Sequence, residues 1–455
     1  MLDAPLPMPG IQAFYPRPAT PRPRIRRAEG VWLEDVDGNR YMDASSGPVV
    51  SNLGHGNKRV LAAMAQQAAD VAFAFPMFWE SEANIRLSER LAELAGPGLE
   101  RAFLVSGGSE ATETALKFAR QHAVATGQEQ RWKVIGRDPG YHGGTLGALS
   151  VTGDQAMRKL YGPMMRLMPL APTPFTYRLP PNHTAETYAR HCAEALDALI
   201  QAEGPETVLA FIMEPIGGLA TGALVPPDPY FGAVREICSR HGILLIFDEV
   251  ISGAGRTGRF LAAHHWPEAK PDLVVLAKGV TAGYTPLGVL LAPAHMADAV
   301  AGVGGFAHGF TYFANPLSCA VGAAVLDELV ERDLMGNAAR MGALLRGKLE
   351  ALAGRTKLIG DVRGRGLLLA IELVADKASK EMIPLPLMAP YRLQALGLRH
   401  GIALYCRRTA GGAYGDWIPI TPPLTITEAE VDDLIARLEA TLLGYEAELR
   451  EQGVL

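Results

Sequence analysis

Short, almost wholly apolar runs recur through the middle of the chain, at 132–135, 208–213, 243–247, 273–276 and 289–291. Between them lie segments with apolar residues at helical spacing, at 110–125, 185–201 and 230–241. Runs this short and this apolar read as strands buried on both faces, and their alternation with helices predicts a mostly parallel sheet covered by helices on both sides. The expected fold class is α/β.

The two ends follow other patterns. From Val31, VWLEDVDGNRYMDAS alternates around Asp37 and Gly38, the signature of a hairpin between two short strands. Before it, residues 4–23 hold seven prolines, predicting an arm that wraps over a surface and is ordered by a partner subunit. After Thr311 a long helix is expected to start near Asn315 and Pro316 and run through CAVGAAVLDELVERD. Amphipathic helices mixed with the strand-like GLLLAIEL at 366–373 then suggest a separate α+β domain from about Leu334. No internal repeat is visible.

The bulk numbers narrow the function classes. A chain of 455 residues is about three times a common domain length, enough for a deep site. With 43 basic and 48 acidic side chains and a net charge of -5, nothing asks for nucleic acid or an anionic membrane as partner. The four cysteines, Cys192, Cys238, Cys319 and Cys406, lack CxxC pairing or metal-ligand spacing and read as reduced core residues, with no metal site. The N-terminus lacks a signal-peptide pattern, and no run reaches the ~18 apolar residues of a membrane helix, so the expected location is the cytoplasm.

In an open parallel sheet, ligands sit beyond the C-terminal ends of the strands. ILLIFDEV ends in Asp248, a poorly hydrated acid that needs a partner, for which a structural arginine salt bridge is the plain alternative. DLVVLAKGV brings Lys278 to another strand tip, where burial would leave the amine partly neutral; the alternative is a snorkelling surface lysine. LVSGGSEATETALKFAR sets Ser106–Ser109 between an apolar tip and a helix, either a phosphate cup on helix N–H groups or an ordinary cap by Ser109. Together they describe a ligand with a phosphate, a basic ring nitrogen and an aldehyde, the three handles of pyridoxal phosphate.

On these residues the chain resembles the class III, omega-type aminotransferases of the fold type I pyridoxal-phosphate superfamily. The likeness runs from GVWLEDVDGNRYMD near residue 30 to PPLTITEAEVDDL near residue 430, with SGGSEATETALKFAR, GYHGGT, MEPIGG, FDEVISGAGRTG, LAKGVTAGYTPLG and HGFTYFANPLSCA in family order. It implies a large cofactor-binding domain at 71–333 and a smaller α+β domain built from 1–70, which includes the arm, and 334–455. Lys278 then matches the Schiff-base lysine and proton shuttle, and Asp248 the carboxylate on the ring nitrogen. Val250 and Tyr141 match the residues against the two ring faces, with His142 supporting that loop. Gly108 and Ser109 match the phosphate cup, and Thr311 a threonine that reaches the phosphate from the other subunit of a homodimer, with pairing of dimers into a tetramer left open. Glu214 matches a strand-end glutamate that pairs in many members with a substrate-gating arginine.

The implied reaction is ping-pong transfer of an amino group from an amine or an omega- or beta-amino acid to a 2-oxo acid, pyruvate foremost. Racemase, aminomutase or lyase chemistry on the same cofactor remains open, as does a non-catalytic cofactor-binding module. The family's carboxylate-binding arginine is missing from the expected places, which hold Pro419 and Tyr405; Arg407 and Arg408 are the substitutes at hand. The small segment at 47–50, with Val49, and the aromatics Phe73, Phe75, Phe78 and Trp79 imply a roomy apolar substrate pocket with an aromatic wall.

Overall fold

In the computed structural model, which describes residues 22–455 apart from 219 and 409–411, the chain opens with three antiparallel strands. They are β1 (Ile25–Glu29), β2 (Trp32–Asp35) and β3 (Arg40–Asp43), with the expected turn between β2 and β3. Asp35 ties that turn by accepting the Asp37 and Asn39 amides at 3.0 and 2.9 Å. All of the proline-rich arm except Arg22 and Pro23 lies outside the described residues.

The apolar runs then lie side by side in one seven-stranded sheet. Its strands are β4 (Arg101–Val105), β5 (Lys133–Asp138), β6 (Leu170–Pro172), β7 (Val208–Met213), β8 (Leu244–Asp248), β9 (Leu273–Leu276) and β10 (Gly288–Ala292), in the order β4-β10-β9-β8-β7-β5-β6. Pairings from β9 through β6 are parallel, while β10 runs antiparallel to both β9 and β4. Strand alternation divides the core: Phe211, Met213 and Phe247 join the cluster on one face, and Ala210, Ile212 and Ile246 that on the other. The helix Gly108–Ala125 covers the second face with Ala111, Ala115, Phe118 and Ala119, positions one and two turns apart. The helices Ala185–Glu203, Asp228–His241 and Pro316–Glu331 bury residues against the first. Asn315 caps the last of these, accepting the Ser318 amide at 3.2 Å.

Two departures from the expected pattern have local causes. The run at 132–135 is one part of β5, which continues through the polar Arg137 and Asp138. β4 was visible only as an apolar tip, because the exposed Arg101 breaks its hydrophobic signal.

Beyond the helix Leu334–Ala353 the chain forms β11 (Ile359–Arg365), β12 (Leu368–Leu373), β13 (Ile402–Ala403), β14 (Arg407–Arg408) and β15 (Asp416–Ile420). β11, β12, β15 and β14 make a second mixed-length sheet, and β13 pairs in parallel with β3, so both ends of the chain share one small sheet. Among the described residues, no helix is long and apolar enough to cross a membrane.

Candidate active site

Because β10 is antiparallel to both neighbours, β4 points the same way as β9, and the C-terminal ends of β4, β5, β7, β8 and β9 meet on one rim. A cavity of about 310 Å³ opens there. Its lining includes Val50, the turn Ser106–Ser109, Tyr141, His142, Glu214, Asp248, Val250, Ile251 and Lys278. Eight of the nine residues expected at the cofactor, Lys278 and Glu214 among them, are thus brought together; Thr311 is not.

Asp248 ends β8 inside the protein. Its Oδ2 lies 2.8 Å from His142 Nδ1, with the two side chains 4% and 1% exposed, and its Oδ1 accepts the Val250 amide at 3.0 Å. The partner of this carboxylate is therefore an imidazole, not the arginine of the plain alternative. Glu214, one residue beyond β7, accepts the Gly218 and Tyr141 amides at 2.7 and 3.2 Å, so backbone donors hold its oxygens. Burial pushes its carboxyl above the usual range.

Lys278 stands two residues beyond β9 and donates from Nζ to the Pro48 carbonyl at 2.9 Å. Burial lowers its amine to about 8, against the opposing pull of Asp248 and Glu214, with Arg407 lowering it a little further. This is a partly buried amine whose charged form is disfavoured, not a snorkelling surface lysine.

The helix Gly108–Ala125 is capped by Gly107, which has no side chain to offer its first amides. Ser109 is not the cap; its Oγ accepts the Gly144 amide at 2.9 Å and so joins the turn to the Tyr141 loop. A Cβ on Gly108 would fall 3.1 and 3.2 Å from the Val250 methyls, and one on Gly143 would fall 2.7 Å from Ser109 Oγ. Glycine therefore lets these segments approach closely. Tyr141 and Val250 both line the cavity.

The expected substrate residues fare differently. Val49 is buried in the core, and its neighbour Val50 lines the cavity instead. Positive φ at Ser46, Gly47 and Val49 shows that this segment turns and is not simply extended. Phe78 and Trp79, 76% and 67% exposed, form no wall of the cavity; neither does Phe73 or Phe75. Among the described residues, the aromatics at 73–79 thus do not line this cavity within one chain. Thr311 is exposed next to Tyr312, whose ring meets Phe73 edge-on at 5.9 Å.

Arg407 and Arg408 sit on β14, where successive side chains point to opposite faces. Arg408 is bound to Asp416 by two hydrogen bonds of 2.7 and 2.6 Å. Arg407 donates from Nη1 to the Tyr405 hydroxyl at 3.2 Å and lies over its ring, while its buried Nε finds no partner among the described residues. Its charge acts on both Lys278 and Tyr141. The sequence offered the pair as equals, and the missing signal was the two-residue strand that separates them. Pro48 and Tyr405 also gain contacts that no motif marked.

The sequence matches the family Aminotransferase class-III over residues 15–442. The uncharacterized aminotransferase YodT of Bacillus subtilis is 35% identical over 94% of this chain and 97% of its own. Among solved structures, an (S)-enantioselective omega-transaminase from Thermomicrobium roseum is 39% identical with a TM-score of 0.87, covering 93% of this chain and 92% of that one. An amine transaminase from an uncultivated Pseudomonas species in its PLP-bound form is 36% identical with a TM-score of 0.87, covering 95% and 99%.

Proposed function

The chain belongs to the class III aminotransferases, which use pyridoxal phosphate, and from that premise we propose that it moves an amino group from an amine or an omega- or beta-amino acid to a 2-oxo acid, with pyruvate the foremost acceptor and ping-pong order. The partly buried Lys278 amine, sharing one cavity with the Asp248 carboxylate and a helix start that Gly107 leaves without a side-chain cap, is the observation that carries this reading. The donor set fits the cofactor: a phosphate on the amides after Gly107, a ring nitrogen on Asp248, ring faces on Val250 and Tyr141, and an aldehyde at Lys278.

When bound, pyridoxal phosphate supplies the carbonyl that carries the amino group and a ring that takes up electrons. Asp248, kept in place by His142 and the Val250 amide, presents an anion to the ring nitrogen. Lys278 Nζ takes a proton from the substrate carbon and returns it, work suited to a base that titrates near the operating pH. Glu214 fastens the Tyr141 loop through its backbone. Of the two neighbouring arginines, Arg407 is assigned to the substrate carboxylate, since a guanidinium is a bidentate carboxylate partner and Arg408 is already taken.

The working unit in this reading is a cytoplasmic homodimer in which Thr311 completes the phosphate site of the neighbouring subunit. Support comes from the exposed Phe73, Phe78, Trp79 and Tyr312 around Thr311, an apolar surface suited to a second copy, and from four buried free cysteines. The names of the similar amine and omega-transaminases favour amine donors. A panel of amines and amino acids against pyruvate and 2-oxoglutarate, followed as half-reactions by loss of the cofactor's visible absorption, tests the assignment. Donor consumption that proceeds without any 2-oxo acid would defeat it in favour of racemase or lyase chemistry.

A further inference from the structure

Arg256 is fully buried, and the four oxygens around its guanidinium all belong to neutral groups. They come from three distant parts of the chain: the Leu367 and Pro422 carbonyls, Ser46 Oγ at 3.4 Å and Asn52 Oδ1 at 2.6 Å. Among the described residues no carboxylate hydrogen-bonds the guanidinium, although the charge of Asp43 favours it; burying a cation this way is expensive, so the contacts it organises need explanation.

Two of those partners lead to Lys278. The Asn52 amide donates to the Ala254 carbonyl at 2.9 Å and lies so flat on Gly279, the residue after Lys278, that a Cβ there would come within 2.3 Å of Nδ2. Ser46 begins a turn in which Ser46, Gly47 and Val49 have φ of 49°, 58° and 62°. That conformation disfavours side chains, a β-branched valine most of all, and persists only where the surroundings enforce it. The turn delivers the Pro48 carbonyl to Lys278 Nζ at 2.9 Å. Lys278 itself has a φ of 43°, so its backbone also needs to be held.

We propose that Arg256 is a positioning residue for the reaction, holding Asn52 against the Lys278 turn and Ser46 at the root of the Pro48 turn, so that the Lys278 amine is aimed before the cofactor arrives. The inference rests on Lys278 being the residue that bonds the cofactor. Chain segments from both ends and the middle thereby converge on one amine through a single guanidinium.

The test uses the full chain stripped of cofactor. Adding pyridoxal phosphate lets the amine add to the aldehyde carbon, a C=N bond form and water leave, and the rate is read from growth of the visible band. Pyridoxine 5′-phosphate carries an alcohol in place of the aldehyde and reports binding without that bond. Asn52→Ala and Arg256→Lys should each slow capture about tenfold or more, because small misplacements of a reacting group cost that much. Their affinity for pyridoxine 5′-phosphate should stay within about twofold. Asn52→Ala keeps the guanidinium and guards against a fold that fails without Arg256. Capture at the parent rate in a variant that melts normally would overturn the proposal, as would an equal loss of capture and of pyridoxine 5′-phosphate affinity. Lys278→Ala serves as the control: a band that still grows in it refutes the lysine assignment, a failure separate from that of Arg256.

Discussion

His142 Nδ1 and Asp248 Oδ2 lie 2.8 Å apart in a part of the protein that water hardly reaches, while His142 Nε2 is buried with no partner among the described residues. The imidazole is thus committed to the carboxylate on one side. Replacing it by a residue without a donor, His142→Phe, leaves a buried carboxylate one bond short. The expected cost is about 1–3 kcal/mol in denaturant unfolding, together with faster loss of cofactor on dialysis. A variant as stable as the parent that keeps its cofactor equally well would show that Asp248 does not depend on this bond.

Lys278 gives a pH signature. Its amine is pushed down by burial from 10.5 to about 8, so the folded, cofactor-free chain pays the whole penalty for the charged amine below pH 8 and sheds it as pH rises towards 10.5. Lys278→Met, also cofactor-free, should therefore be more stable than the parent at pH 7 by up to about 3 kcal/mol, with the gap closing above pH 8. Unfolding curves at pH 7, 8.5 and 10 measure it, and a gap independent of pH would contradict the assigned burial effect. The same substitution should abolish turnover and the visible band of the bound cofactor.

The two neighbouring arginines should separate cleanly. Arg407→Leu is expected to raise KM for pyruvate about 10–100-fold, the loss of a charge-assisted pair, and to leave the half-reaction with a donor lacking a carboxylate nearly unchanged. Arg408→Leu should leave KM alone and lower stability by about 2 kcal/mol, since it breaks a mostly buried pair with Asp416. Steady-state kinetics with both variants decides, and the reverse pattern would exchange their roles.

The aromatic surface predicts the assembly. Phe78→Glu or Tyr312→Glu places a charge on an exposed apolar patch and should convert dimers to monomers in sedimentation velocity, with loss of bound cofactor in the same fractions. Monomers that hold cofactor as well as the parent would remove Thr311 from the site.

Much of this site could be read in one dimension because strand ends announce themselves. Asp248 and Lys278 each follow an unbroken apolar run, and such runs carry a burial signal that needs no partner to interpret. What stayed hidden depends on which way a short segment turns. Val49 and Val50 differ only through a left-handed turn, and Arg407 and Arg408 only through a two-residue strand whose existence depends on β15 beside it. Nothing within FDEVISGAGRTG marks Arg256, because its partners Ser46, Asn52, Leu367 and Pro422 lie up to 210 positions away in sequence on one side and 166 on the other. The aromatics at 73–79 were assigned to a pocket wall because sequence reports their apolarity and not the face they occupy.

The reversed strand β10 has one more effect. It separates β4 from β9 by two strand spacings, about 10 Å, whereas β8 and β9 are direct neighbours about 5 Å apart. The Ser106–Ser109 turn and Lys278 are therefore set at a separation defined by backbone hydrogen bonds, and no side chain can readily alter it. In the proposed reading the sheet acts as a length gauge: a ligand too short to reach from the turn after β4 to the amine after β9 would be refused by the main chain before any side chain had tested its chemistry.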